Sequence, residues 1–257
     1  MRDKRKLSTR EISLTICFAA LYVILGFMPL SPIIGLPGSV ITAAAFIAPV
    51  IGVVLGSYLG MLSTILGGTI GFFLGRFSPP SFLSGIVTSG LAGALYEGKR
   101  GICVFTYSSF LFFFAIYPSI GPVWLYPPVL WFQLVGLLIL VSPLQSLALR
   151  NMWKPKTTFG LSLAFFTISL TSALAGQIAG SLAFEVQVWP AFTADANALR
   201  PYWQLIAWTY PIERVVIAAF AAFIGVALFQ VLRSGRLGLA QSAKQPRQQL
   251  RSGYAAN

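Results

Sequence analysis

The chain has 257 residues, of which 56% are hydrophobic and only 9% are charged, and its formal net charge is +12. Soluble domains carry about a quarter charged residues, so this composition excludes an ordinary soluble fold and predicts a protein embedded in a membrane. Lipid cannot satisfy free backbone groups, and the sequence lacks alternating strands, so the predicted spans are α-helices. The basic residues lie in short clusters between apolar runs, which is typical of membrane topology and not of nucleic-acid binding.

The predicted elements follow a basic N-terminal segment, residues 1–10. The first helix is expected over residues 11–30, and a loop with two prolines and two glycines, SPIIGLPG, comes next. The apolar stretch 39–75 is too long for one span, so we expect two helices with a break near residues 56–60. Further helices are predicted over residues 80–97, 101–118, 123–149, 157–184 and 204–233. The polar, basic tail 234–257 has a composition that predicts disorder.

The distribution of Lys and Arg predicts the orientation. The N-terminus, the pair Lys99 and Arg100, the loop 150–156 and the C-terminal part from Arg233 onward hold all but three of the 18 basic residues, so these parts are expected in the cytoplasm. Both termini on one side require an even number of crossings. The predicted fold class is therefore an all-α, multi-pass protein of the cell membrane, with its transmembrane domain over residues 11–233. It has eight helices if every run crosses, or six if residues 39–97 cross once.

Missing residue types exclude several kinds of chemistry. Histidine is absent, which excludes Ser-His and Cys-His catalysis, histidine-bound metals and histidine-ligated haem. There is no Walker A pattern, and no two acidic residues lie within one helical turn, so neither an ATPase nor a two-metal site is expected. Cys17 and Cys103 both fall inside apolar runs, which predicts buried packing residues and not a disulfide or a metal pair. We therefore expect no enzyme activity and no cofactor.

Small residues recur at helical spacing. Gly52, Gly56 and Gly60 are four residues apart, and a similar series includes Gly176 and Gly180. On a helix, each series would form a smooth face that another backbone can approach closely. Packing inside the protein and docking of a partner subunit both use such a face, and the spacing does not separate the two.

The order of segments resembles a known family over roughly residues 8–118. The first helix contains CFAALYVILG, the run after the Pro/Gly loop contains IAPVIGVVLGSYLG, and a later run closes on GALYEGKR. This arrangement resembles the substrate-binding S components of energy-coupling factor (ECF) transporters. The resemblance implies a small integral protein that captures a vitamin or similar micronutrient from outside. It also implies docking on a transmembrane coupling subunit driven by two ATPase subunits.

The resemblance has departures. The family's first helix often carries two alanines four residues apart that dock on the coupling subunit, and the corresponding positions here are Ile16 and Ala20, so only one matches. Ser13 and Cys17 offer an alternative pair of small residues. The nickel and cobalt members use an N-terminal Met-x-His, so the absence of histidine excludes that branch. The predicted docking residues are Ile16, Ala20, Gly52, Gly56 and Gly60.

The segment TYPIER, residues 209–214, places two of the chain's few charges beside a long apolar run. If the last helix begins near Gln204, Glu213 and Arg214 lie about 13 Å along it, and charges at such depth are candidates for function. If instead Pro211 is the first helical residue, Glu213 falls in the first turn, where the helix dipole stabilises it, and Arg214 pairs with it. Both interpretations place the pair at the outer mouth of the last helix.

Aromatic residues gather at the same predicted side, and they fit either an interfacial belt or a site that stacks a flat heterocyclic ligand. Trp203, Tyr210 and Arg214 are spaced by seven and four residues, so they share a face if the helix is continuous. Gln133 and Gln177 lie in the outer halves of their runs, where they either join helices by hydrogen bonds or reach the same cavity. The candidate substrate-binding residues are Trp131, Gln133, Gln177, Trp203, Trp208, Tyr210, Glu213 and Arg214.

The leading hypothesis is the substrate-capture subunit of an ECF-type importer, with a small molecule bound at the outer mouth. An integral membrane enzyme acting on lipid is an alternative, with Tyr210, Glu213 and Arg214 as its polar set. A structural or assembly protein, whose glycine faces only pack helices, is a third.

Overall fold

The computed structural model describes residues 7–192 and 195–234, and most of them are helical. The α-helices are α1 (Thr9–Leu25), α2 (Ala44–Leu55), α3 (Ser57–Phe73), α4 (Pro79–Tyr96), α5 (Arg100–Ile116), α6 (Pro122–Leu125), α7 (Trp131–Val141), α8 (Pro143–Trp153), α9 (Thr158–Phe192) and α10 (Arg200–Ser234). Short 3-10 turns cover Pro127–Leu130 and Ala196–Leu199. The predicted tail and most of the predicted N-terminal segment lie outside the described residues.

Two helical stretches are long and apolar enough to cross a membrane, Thr158–Trp189 and Ala196–Val231. A third candidate arises if Pro127–Val141 and Pro143–Trp153 form one span bent by 60°. Helices α2, α3 and α5 are shorter apolar helices. The all-α prediction is confirmed in this coarse form, and within the described ranges the length and composition of the helices supply two or three candidate spans.

Helix starts follow the capping residues of the sequence. Ser8 caps α1, where its side chain and that of Glu11 exchange hydrogen bonds with each other's backbone N–H groups. Ser78 caps α4 and is followed by Pro79 at the first helical position. Ser142 caps α8 in the same way, ahead of Pro143. These local signals fix where three of the helices begin.

The predicted break in the stretch 39–75 is confirmed at Gly56, which has a φ of +86° and separates α2 from α3. The Glu97 carboxylate accepts hydrogen bonds from the backbone N–H of Ser57 (2.7 Å) and from its hydroxyl (2.9 Å), and it pairs with Lys99. A carboxylate at this place stabilises the positive end of α3. Burial raises the pKa of Glu97, but the hydrogen bonds from Lys99 and Ser57 outweigh it, so the pKa lies below its usual value.

A second break, between α7 and α8, is held by Arg100 at the start of α5. The guanidinium donates to the backbone oxygens of Leu140 (2.9 Å), Val141 and Ser142 (2.8 Å), and to the hydroxyl of Ser146 (2.7 Å). Carbonyl groups at a helix end lack intrahelical donors, so one arginine satisfies the end of α7 and joins α5 to the bend.

Gly52, Gly56 and Gly60 do not form one helical face, so that prediction is wrong. Gly56 lies between two helices, and a Cβ at Gly60 would come within 3.0 Å of the Gly52 backbone. A Cβ at Gly52 would collide with the backbone oxygen of Ser89 in α4. All three glycines are buried against other parts of the same chain, and they pack α2, α3 and α4 together.

The second series of small residues also packs helices internally. A Cβ at Gly176 in α9 would collide with the Thr88 hydroxyl, and one at Gly180 would lie 2.9 Å from the Pro80 backbone oxygen. Helices α4 and α9 therefore touch almost backbone to backbone along this seam. Of the two cysteines, which are both free thiols, Cys103 is buried as predicted, whereas Cys17 is exposed on α1.

The predicted cytoplasmic regions that the structure describes gather at one end of the molecule. The indole N–H of Trp153, at the end of α8, donates to the Tyr96 carbonyl at the end of α4 (3.0 Å), close to Arg100 in sequence. Two contacts show that α1 runs parallel to α3. The Ser63 hydroxyl donates to the Thr15 carbonyl (3.0 Å), and one turn further along both helices Gly67 packs against Ala19. The start of α1 therefore lies at this same end, near the Glu97 cap of α3.

A short hairpin lies at the other end of α4. Strands β1 (Pro29–Pro32) and β2 (Val40–Thr42) pair antiparallel, and the Pro/Gly loop of the sequence joins them. Gly35 has a φ of +87°, and a Cβ there would lie 2.8 Å from the ring of Phe184 in α9. Only glycine allows this turn to rest on α9 so closely. The hairpin thereby covers the space between α2, α4, α9 and α10.

Candidate functional site

A cavity lies beneath the hairpin, walled by α2, α4, α9 and α10. The centres of water-sized spheres can occupy about 80 Å³ inside it. Ile33, Ile34 and Ile41 of the hairpin region form its roof. A concave and mostly apolar space with a few polar groups is the usual form of a small-molecule site.

Helix α10 supplies the main polar wall. It begins at Arg200 and continues through Pro211, so the interpretation in which Pro211 starts the helix, with Glu213 in the first turn, is wrong. Trp203, Tyr210 and Arg214 share one face of this continuous helix and all line the cavity. Their exposed fractions are 1%, 6% and 6%. The spacing of seven and four residues therefore identified a real face.

Pro211 lies inside α10 without leaving a free carbonyl. Proline has no N–H, so it cannot bond the carbonyl four residues earlier, which is that of Ala207. The indole N–H of Trp131, at the start of α7, donates to this oxygen at 2.9 Å. A side chain from another helix thus replaces the missing backbone donor, as helix neighbours do in membrane proteins.

The charged pair of TYPIER is divided between two environments. Arg214 lines the cavity, and its Nη2 lies 3.3 Å from Oε1 of Glu213, which is not part of the lining. The guanidinium carbon also lies 5.6 Å from the ring centroid of Tyr210. The buried Nε of Arg214 has no hydrogen-bond partner among the described residues. Glu213 therefore holds the Nη2 side of the guanidinium of Arg214, while the Nε donor of the same group has no partner among the described residues.

Gln177 faces Arg214 from α9. Helices α9 and α10 run antiparallel, since Phe184 packs against Trp203 and Phe165 packs against Gly225. This pairing brings Gln177 level with TYPIER. Its side chain is 4% exposed and lines the cavity, and its Oε1 has no partner in the described part of the chain. Two lining residues on neighbouring helices, at a similar level, thus carry a buried acceptor and a buried donor without partners in the described part of the chain.

The rest of the lining is apolar or carries hydroxyl groups. The rings of Tyr22 and Phe77 stack with centroids 5.1 Å apart, and both line the cavity. Ala44, Ala45 and Ala48 of α2 add small apolar contacts. Among the lining residues that the structure describes, Arg214 carries the formal charge and no carboxylate is present.

Four predicted binding residues lie outside the lining. Trp131 and Trp208 pack with ring centroids 6.1 Å apart and are largely exposed, as residues of an aromatic belt would be. Gln133 is buried in α7, where its backbone oxygen accepts a hydrogen bond from the Tyr107 hydroxyl (2.8 Å). Glu213 is the fourth, and its carboxylate pairs with Arg214 from outside the lining. The structure therefore brings Gln177, Trp203, Tyr210 and Arg214 together and leaves these four apart.

The sequence did not predict two features of this region. Tyr22 and Phe77 line the cavity, but only packing between helices brings them there. Glu185 is fully buried in α9, and neither of its carboxylate oxygens has a partner within the described ranges. The signal was an acidic residue at the edge of an apolar run, and it was overlooked because the helix was expected to end at residue 184.

Comparisons with protein-family models, with curated proteins and with solved structures found no match to this chain. The functional interpretation therefore depends on the geometry of the cavity and on the order of the helices.

Proposed function

We propose that this protein is a substrate-capture subunit in the cell membrane, which binds a small micronutrient in the cavity under the hairpin and belongs to an ECF-type importer. The observation that carries the proposal is a pair of buried polar atoms without partners among the described residues, Arg214 Nε and Gln177 Oε1, on two residues that line the same cavity. Buried polar groups without partners cost free energy, and a ligand that bonds them offsets that cost. A bound ligand supplies the missing partners.

The proposed topology has six to eight crossings with both termini in the cytoplasm. Neighbouring helices support an even number. Helix α1 is parallel to α3, and the successive pairs α3–α4, α4–α9 and α9–α10 are antiparallel, so the start of α1 and the end of α10 lie at the same end of the molecule. The basic end of the molecule, with Lys99, Arg100 and the loop after α8, faces the cytoplasm in this proposal. The cavity then opens toward the outside, where a substrate arrives.

The proposed docking surface for a coupling subunit is the face of α1 that points away from the other described helices. Ile16 and Ala20 are both exposed there, next to the small residues Ser13 and Cys17. Unlike Gly52, Gly56 and Gly60, these positions are not covered by another helix of the described chain. The sequence has no ATPase motif of its own, so ATP hydrolysis falls to partner subunits in this proposal.

The proposal is tested by equilibrium binding to the purified protein in nanodiscs, with a panel of labelled vitamins and heterocyclic compounds. We expect one compound to bind, and Arg214→Met to weaken it while the exposed Trp208→Leu does not. In a second assay, Ala20→Trp should reduce co-purification with a coupling module and spare ligand binding. A protein that binds no compound of the panel would contradict the capture function.

A further inference from the structure

We infer that the ligand of this cavity is a small, largely apolar molecule with an amide-type or carboxylate end, neutral or anionic overall, and that cations are excluded. This inference rests on the proposed capture function and defines its substrate class. It follows from three properties of the lining: its charge, the placement of its unused donor and acceptor, and the apolar character of the remainder.

The charge of the lining excludes cationic ligands. Arg214 contributes a guanidinium that is always protonated, and no carboxylate lines the cavity in the part of the chain that the structure describes. Glu213 occupies only Nη2 of this arginine and lies outside the lining. A ligand ammonium group would therefore meet the like charge of Arg214, while the carboxylate paired with that arginine, Glu213, lies outside the lining.

The two unused atoms fit the two sides of an amide. Arg214 Nε is a donor and needs an acceptor, whereas Gln177 Oε1 is an acceptor and needs a donor. They lie at the same level on facing helices, α10 and α9. A carboxamide, lactam or ureido group presents C=O and N–H side by side, so it satisfies both atoms at once. A carboxylate satisfies only the arginine, although its charge strengthens that bond.

The body of the ligand meets apolar and aromatic surface. Trp203 packs against Phe184 and Tyr22 stacks on Phe77, and all four rings line the cavity. Aromatic side chains bind flat apolar groups through area burial and ring contacts. The ligand therefore has one polar end and an apolar body, and it is not polar throughout, as a free sugar is.

The test uses triads of probes that share a ring and differ only in the polar end: benzamide, benzoate and benzylamine, with the corresponding pyridine and indole series. Binding to the purified full-length protein in nanodiscs is measured by calorimetry. The inference predicts that carboxamides and carboxylates bind at least tenfold more tightly than the matched amines. Amines that bind as well as, or better than, their partners overturn the ligand class but leave the capture function standing. No binding by any probe overturns both.

Three variants assign the contacts. Arg214→Met is expected to weaken carboxylates by about ten- to a hundredfold, because it removes a charged hydrogen bond. Gln177→Leu is expected to weaken carboxamides by roughly three- to tenfold and to spare carboxylates. Gln133→Leu is the matched control, because Gln133 is also buried with an unpartnered Oε1 but lies outside the cavity. Equal effects of both glutamine variants on every probe would overturn the assignment.

Discussion

The bond between Trp131 and Ala207 makes a quantitative prediction about Pro211. Trp131→Phe keeps a large ring and removes the indole N–H, which leaves the Ala207 carbonyl without a donor because Pro211 has none. Hydrogen bonds between helices in membranes contribute about 0.6 kcal/mol on average and up to about 1.7 kcal/mol. An unsatisfied buried carbonyl costs about 1–3 kcal/mol. We therefore expect Trp131→Phe to lower the free energy of unfolding by about 1–2 kcal/mol.

The second half of the cycle restores the backbone donor. In a Pro211→Ala background, the new N–H bonds the Ala207 carbonyl, so the same Trp131→Phe change should cost less than about 0.5 kcal/mol. Unfolding is followed by circular dichroism during titration with SDS in mixed micelles. Trp124→Phe is the control, because its indole donates to the Ile116 carbonyl (3.3 Å) and is unrelated to the proline. An equal cost of Trp131→Phe in both backgrounds would refute the reasoning.

Three further predictions concern stability. Gly52→Ala should lower the free energy of unfolding by about 1–3 kcal/mol in the same titration, because its Cβ collides with the Ser89 carbonyl. The control Gly101→Ala has open space around it and should have little effect. Similar costs for the two variants would show that α2 and α4 are not in close contact. The Glu97 carboxylate has a pKa below its ordinary value, so its contribution to stability is complete above that ordinary value and is lost as the pH falls through the lowered pKa. Glu97→Gln should flatten this acid loss in a profile of melting temperature against pH, and an unchanged profile would contradict its role as a cap. Glu185→Leu should raise stability by about 1–3 kcal/mol, since it removes a buried carboxyl group without partners, and a lower melting temperature would speak against this.

Most helix positions could be predicted from the sequence because they depend on local signals, but the run 123–149, predicted as one helix, is divided among α6, a 3-10 turn, α7 and α8. Apolar runs, Ser-Pro starts and the glycine at position 56 act over a few residues, and each left a readable trace. The shared face of Trp203, Tyr210 and Arg214 was also predictable, since it requires only a continuous helix. Where that helix begins was not predictable from proline rules, because the donor that lets Pro211 lie inside it comes from Trp131, on another helix.

The residues of the candidate site could be predicted only in part, because contacts between distant parts of the chain decide which side chains line the cavity. Tyr22 and Phe77 are separated in sequence by the hairpin, α2 and α3, and only helix packing brings their rings together. Conversely, Gln133 and Gln177 both lie in apolar runs, yet only Gln177 lines the cavity. Which of the two glutamines reaches the cavity is decided by the rotation of its helix, and that rotation follows from contacts distant in the chain.

The close seam between α4 and α9 determines which residues are able to change ligand preference. Gly180 and Gly85 line the cavity on this side, and a Cβ at either position would press on the Pro80 carbonyl or on the Tyr22 hydroxyl. At these two positions a larger residue would separate the helices before it altered the shape of the cavity. Room for substitution remains at the lining positions that carry side chains, such as Gln177 on α9 and Tyr210 on α10. If the cavity binds a ligand as proposed, changes of preference would arise at these positions, while the two glycines keep the helices at contact distance.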